Sequence, residues 1–241
     1  MEKNFKATTV LDLLFHAANT NPSKVYCKSA DHQFTYKHFI AACIKLSKKI
    51  SKKKIKNEQI GILLPNSILF LVSYFAVLIS GNRPALLNYL LPDVALGKLL
   101  VNLEPTLLIS NKAIPEGDTM IVKIEDYLDI GESNINGADF RCESYEVGAI
   151  LFSGGTTGIP KQINHSHKCI TSMVDRMEWG WPTKPNEKWL VVAPFTHIYG
   201  FLTGVTNPLL KCGTVFIPES FDPSLIIEKL SSEEITVFGG G

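Results

Sequence analysis

The sequence predicts an α/β fold, a mostly parallel sheet flanked by helices, and three observations carry that prediction. Short β-prone runs alternate with segments of helical period from Ile60 to Phe238, the pattern of βαβ units. Turn-forming pairs such as Pro65-Asn66, Gly81-Asn82 and Pro92-Asp93 fall between those runs, not inside them. The 241 residues are 45% hydrophobic, enough to bury a sizeable core in one large domain or two smaller ones.

In chain order, Thr8-Thr9 caps an apolar helical face over residues 8 to 20. Val25-Tyr26-Cys27 and Phe34-Thr35-Tyr36 read as a hairpin, followed by a helix from Tyr36 to about Ile50. Gln59 to Leu64 is a buried-type strand, and Ser67 caps the helix Ile68 to Ser80. That helix is the most hydrophobic stretch, but at 13 residues it falls short of the roughly 20 that span a bilayer, so it is a core helix with no transmembrane role. Strands follow at 84–87, 106–109 and 119–124, with a helix opened by Pro92-Asp93. Residues 130–146 are polar and irregular and lead to the strand Val147 to Phe152. Helices at 166–179, 198–210 and 222–230 then alternate with strands at 188–193, 214–217 and 235–238. The tryptophans Trp179, Trp181 and Trp189 read as packing or edge aromatics.

Charge excludes several partners. With 24 basic and 23 acidic residues the net charge is +1, so any anion site is local. The run Lys45, Lys48, Lys49, Lys52, Lys53, Lys54 and Lys56 near a helix C-terminus reads as a solvated face, and arginine is confined to Arg83, Arg141 and Arg176, which argues against nucleic acid as partner. Cys27, Cys43, Cys142, Cys169 and Cys212 are odd in number and never spaced Cys-x-x-Cys, which fits a reduced cytoplasmic setting. The polar N-terminus shows no signal peptide.

The chemistry concentrates in Ser153-Gly154-Gly155-Thr156-Thr157-Gly158-Ile159-Pro160-Lys161. Ser153, Thr156 and Thr157 supply hydroxyls, and Gly154, Gly155 and Gly158 let backbone N–H groups approach an anion. Lys161 adds a point charge. The Walker pattern is excluded because Lys161 follows Pro160 and precedes Gln162, and a dinucleotide fingerprint is excluded by the glycine spacing. Taken alone, such a cluster also suits a surface turn of no chemical consequence.

The continuation to Ser166-His167 resembles the phosphate loop of the adenylate-forming superfamily, which includes acyl-CoA synthetases, acyl-carrier-protein ligases, luciferases and nonribosomal peptide adenylation domains. Gln162 departs from the glycine usual after that lysine. The resemblance extends to Phe34-Thr35-Tyr36, to the strand-Pro-Asn-Ser-helix-Gly run from Ile60 to Gly81, and to Ala193-Pro194-Phe195-Thr196-His197-Ile198-Tyr199-Gly200; Asn164 to Lys168 is similar to fatty-acid-activating members.

This resemblance implies ATP and Mg²⁺ as cofactors, with Ser153, Gly154, Gly155, Thr156, Thr157, Gly158 and Lys161 on the phosphates. His197 would line the pocket where a carboxylate meets the α-phosphate, with Gly200 giving it room; a lone histidine beside aromatics is otherwise a packed one. His167 matches a family histidine or only fixes the loop. The implied partners are a carboxylic acid, here a fatty acid, and a thiol acceptor such as CoA or an acyl carrier protein. The family's Gly-Tyr-Gly-x-Thr-Glu motif with its metal-serving glutamate, its ribose aspartate and its C-terminal lysine are not among these residues. The sequence is thus expected to be the N-terminal portion of an AMP-binding domain, with first βα units at 1–146, the phosphate loop and later units at 147–241, and no C-terminal domain, metal ligand or catalytic residue. Two expectations follow: a mobile phosphate loop and self-association through uncovered apolar surface. The alternative is a non-catalytic domain that binds nucleotide phosphate weakly or serves a structural role.

Overall fold

The computed structural model describes residues 5–114, 118–130, 140, 142–153, 160–218 and 220–239. Its strands divide between two sheets where the sequence suggested one. One has six strands in the order β6-β5-β3-β4-β7-β8 and the other five in the order β11-β9-β10-β1-β2. The first comprises β3 (Gln59–Leu63), β4 (Arg83–Leu86), β5 (Leu107–Ser110), β6 (Thr119–Ile121), β7 (Val147–Ser153) and β8 (Lys161–Ser166). The second joins the early hairpin β1 (Val25–Lys28) and β2 (Gln33–Thr35) to β9 (Lys188–Val191), β10 (Thr214–Phe216) and β11 (Val237–Gly239). Pairing is parallel throughout except for β1 with β2 and β7 with β8. The split arises because β1 pairs with β10, a partner almost 190 residues away that local pattern cannot reveal (Cys27 lies opposite Val215).

Strand alternation sorts the core into layers. Ile60, Ile62, Leu107 and Ile109 of one sheet and Trp189, Val191 and Val215 of the other face a shared core. That core holds the helices α1 (Val10–Thr20), α2 (Tyr36–Ser51), α3 (Ile68–Ile79) and α5 (His167–Gly180). Their alternate neighbours Leu63, Leu87 and Leu108 pack outward under α4 (Asp93–Leu103), while Leu190 and Phe216 pack under α8 (Pro223–Ser232). The architecture is therefore helix, sheet, helices, sheet, helix.

Helix α3 ties the middle together. It is capped by the Ser67 hydroxyl, which accepts from Phe70 N–H at 3.1 Å, and it is buried almost all round, as its continuous apolar run requires. Phe70 packs on Phe195 at 5.3 Å and Tyr74 on Phe201 at 5.3 Å, both beyond β9, while the Tyr74 hydroxyl donates to Gly148 O of β7 at 2.9 Å. One helix thus registers the two sheets against each other.

Two elements differ from expectation. Lys161–Ser166 is a strand, β8, although Lys-Gln-Ile-Asn-His-Ser is polar and largely exposed. Its backbone pairs with β7 at a sheet edge, where side-chain burial is not needed. Residues 198–210 form the expected rod, but as α6 (Ile198–Phe201), a π-helical segment Leu202–Thr206 and α7 (Asn207–Leu210). No helix among the described residues is long and apolar enough to cross a membrane.

Candidate active site

Ligands of parallel α/β sheets collect beyond the C-terminal ends of the strands. In this structure those ends belong to two sheets, and Asn66 couples them. Its Oδ1 accepts from Phe195 N–H at 2.9 Å and its Nδ2 donates to Ala193 O at 2.9 Å, so a residue just past β3 clamps the turn just past β9.

The hairpin β7–β8 carries the predicted anion-binding residues. Its register sets Ser153 directly opposite Lys161, so the hydroxyl and the ammonium-bearing side chain stand at the base of the connection between the strands. The predicted phosphate-binding residues Gly154, Gly155, Thr156, Thr157 and Gly158 lie in that connection, outside the described residues, as does the predicted mobility of the loop.

The turn 194–200 supplies the second side. His197 is exposed, its Nδ1 accepts from Tyr199 N–H at 3.4 Å, and its backbone O accepts from Phe201 N–H at 2.8 Å. An accepting Nδ1 leaves the ring proton on Nε2, which has no hydrogen bond among the described residues. Gly200 packs against backbone. A Cβ there would fall 2.2 Å from Pro194 O and 2.7 Å from Ala193 O, so its missing side chain lets the helix start against the turn's own backbone. Gly204 likewise makes room for Phe195, whose Cε1 lies 2.3 Å from the position a Cβ would take.

Concavities flank this turn on two sides. A cleft of about 220 Å³ runs between the sheet ends, bounded by Asn66, Asn88, Tyr89, Pro194, Thr196 and Phe221 among others. A smaller, mostly apolar cavity of about 80 Å³ lies between Trp181, Trp189, Tyr199, Thr203 and the β11 residues Val237 and Phe238. His197 sits in the segment that separates them.

His167 is not at either concavity. It is 1% exposed, its Nδ1 accepts from Val10 N–H at 3.3 Å, and burial lowers its pKa to about 4. It joins the start of α5 to the start of α1, and Gly148 stays bare because a Cβ would lie 2.9 Å from that Nδ1. Of the predicted residues, the structure therefore brings Ser153 and Lys161 together and places His197 on the same edge of the molecule. Asn66 was missed as a site residue, although its place after a buried parallel strand was the available signal.

Fold and site define a two-sheet α/β protein whose candidate site lies at the C-terminal strand ends. Residues 14–240 match the family described as AMP-binding enzyme, and the chain belongs to that family. It is 23% identical over 239 residues to a 2-succinylbenzoate–CoA ligase of Bacillus pumilus (93% of this chain, 47% of that protein). Against a long-chain-fatty-acid–CoA ligase of Bacillus subtilis it is 23% identical over 281 residues, covering 96% of this chain and 50% of that one. The o-succinylbenzoate CoA synthetase of Bacillus subtilis, solved with its acyl-adenylate intermediate, shares the fold with a TM-score of 0.81 at 17% identity, covering 95% of this chain and 61% of that one. The same synthetase has been solved with ATP and magnesium ion, at a TM-score of 0.80 and 18% identity, covering 94% of this chain and 62% of that one. The chain corresponds to the N-terminal part of such enzymes and spans about half the length of the curated relatives it matches.

Proposed function

We propose that this chain forms the phosphate-facing and acid-facing part of an ATP-dependent acid–thiol ligase. The single observation that carries the reading is the Asn66 clamp, which holds the His197 turn of one sheet beside the strand ends of the sheet that bears Ser153 and Lys161. A triphosphate and a carboxylate repel each other, so a ligase must neutralise one while holding the other in line.

In this reading the carboxylate oxygen attacks the α-phosphorus, the bond to the β-phosphate breaks, and acyl-AMP and pyrophosphate form. A thiol sulfur then attacks the acyl carbon and AMP leaves. Ser153, Thr156, Thr157 and the backbone of Gly154, Gly155 and Gly158 donate to the β- and γ-phosphates, and Lys161 offsets their charge. The Nε2–H of His197 faces the carboxylate. The two concavities beside the His197 turn suit the two organic partners, the apolar cavity the acid's tail and the cleft the thiol arm. A fatty acid and either CoA or an acyl carrier protein fit these roles, and five unpaired cysteines support a cytoplasmic setting.

Mg²⁺, bound with the nucleotide, would draw charge from the phosphates. The hydroxyls of Ser153, Thr156 and Thr157 and the ammonium of Lys161 are hydrogen-bond donors and suit the nucleotide's phosphates. The alternative reading is a domain that binds nucleotide phosphate weakly without turnover.

Calorimetric titration with MgATP tests the site: affinity should fall about ten-fold in Lys161→Ala, as loss of one charged contact implies. No affinity, or affinity indifferent to Lys161→Ala and Thr157→Ala, rejects the assignment. Carboxylate-dependent exchange of pyrophosphate into ATP by this chain would replace the binding-only reading with a complete first half-reaction.

A further inference from the structure

Seven lysines fall within residues 45 to 56 with no acidic residue among them, while the whole chain carries only +1, so the rest of the molecule is net negative. The structure separates these lysines into two groups. Lys45 donates to Asp126 O at 2.6 Å, Lys49 pairs with Asp126 at 3.5 Å, and Lys53 pairs with Asp118 at 2.7 Å. Lys45 and Lys49 also lie over the Tyr127 ring at 5.8 and 5.5 Å. Lys48, Lys52, Lys54 and Lys56 are exposed, and among the described residues none of their ammonium groups has an ion pair or hydrogen bond.

These four are held in place by the fold. Lys48 and Lys52 are four apart at the end of α2 and share one helix face. Lys54 occupies the left-handed region at φ +59, where glycine would be free of steric cost, and Asn57 follows at φ +56. Asn57 N–H donates to Gly81 O at 2.8 Å, its own O accepts from Arg83 Nε at 3.1 Å, and the stem of Lys56 lies over Gly81. The turn is thus fastened to the starts of β3 and β4, the edge opposite the one carrying Asn66 and Ser153. Glu58 is the nearest acid in sequence, and its Oε2 accepts from the Thr106 hydroxyl at 3.0 Å.

We propose that this fixed lysine turn is a docking surface for an anionic phospholipid bilayer, which it meets with the candidate active site facing away from the lipid. Charge complementarity supplies the attraction: clusters of four to eight basic residues on a helix suit anionic leaflets. Lysine point charges suit a mobile layer of headgroups, whereas base-edge recognition calls for arginine forks and single-stranded nucleic acid for exposed aromatic platforms. No exposed aromatic lies in the turn, and the partly exposed Leu128 beside the Asp126–Tyr127 contact offers an apolar neighbour.

Sedimentation with phosphatidylcholine vesicles containing about 30% phosphatidylserine tests this, since each lysine near such a surface contributes about five-fold. Replacing Lys48, Lys52, Lys54 and Lys56 by Gln together should weaken binding several-hundred-fold, with the melting temperature unchanged because none of their ammonium groups pairs with a described residue. The same change at Lys98, Lys168 and Lys184, exposed on α4, on α5 and in the turn after α5, should have far less effect. Binding equal on pure phosphatidylcholine, insensitivity to the four substitutions, or tighter binding to an oligonucleotide than to the anionic vesicles would each overturn the proposal.

Discussion

The hairpin at 147–166 and the turn at 193–204 lie on one edge of the molecule and are built on opposite principles. The hairpin rests on backbone pairing, and its outer strand β8 is polar and largely exposed. The turn rests on close packing: two glycines without room for a methyl group, Phe195 fully buried, and an asparagine borrowed from the other sheet. Chemistry at the hairpin is thus separable from stability, whereas at the turn the two are fused. Under the proposed function the hairpin meets a phosphate, which is large, charged and tolerant of displacement, and the turn meets a reacting carboxylate, which is not and which a packed support holds to a narrower range.

Substitutions can break that contrast or sharpen it. Gly200→Ala carries the largest expected effect, because the new methyl meets backbone oxygens that cannot rotate away; a loss of about 3 kcal/mol or more is expected, lowering Tm by roughly 6–12 °C. An unchanged Tm would show that the turn is softer than its packing indicates.

His167 provides a comparable effect that pH controls. Its folded pKa of about 4 lies below the ordinary value of 6.5, so the unfolded chain binds the proton more readily. Its contribution is complete above pH 6.5, declines as pH falls through that value, and is gone below about 4, a total of about 3 kcal/mol. Urea midpoints at neutral and acid pH measure this, and His167→Gln should flatten the dependence between those limits.

Asn66→Ala strips partners from Phe195 N–H and Ala193 O and should cost about 2 kcal/mol. Asn66→Asp should not rescue it, since a carboxylate oxygen would then face Ala193 O; full rescue, read by chemical denaturation, would show that only the acceptor half of the clamp matters. At the hairpin, Lys161→Ala should change stability by less than about 0.5 kcal/mol while weakening nucleotide binding. A large loss of stability there would erase the distinction between the two regions.

Much of this was legible beforehand. The caps Thr9 and Ser67 mark helix starts in the sequence, and both accept the expected backbone hydrogen bonds; Ser166 caps α5 in the same way. The apolar run of α3 announced a buried helix. By contrast, β8 carries no apolar alternation, because an edge strand can be stabilised by its partner's backbone alone, and residues 202–206 give no local sign of a π-helical turn.

What the sequence determined by itself was local: the order of strands and helices, their caps, and the clustering of hydroxyls, glycines and Lys161 beside one strand. What only the tertiary structure decided was which distant segments meet. The pairing of β1 with β10, the Asn66 clamp, the need for bare Cα positions at Gly148, Gly200 and Gly204, and the neutral His167 all depend on contacts between residues far apart in the chain or on a turn packed to its limit. The physical reason is that capping and periodicity are satisfied within a few residues, whereas sheet membership and close packing are set by partners the local sequence does not contain.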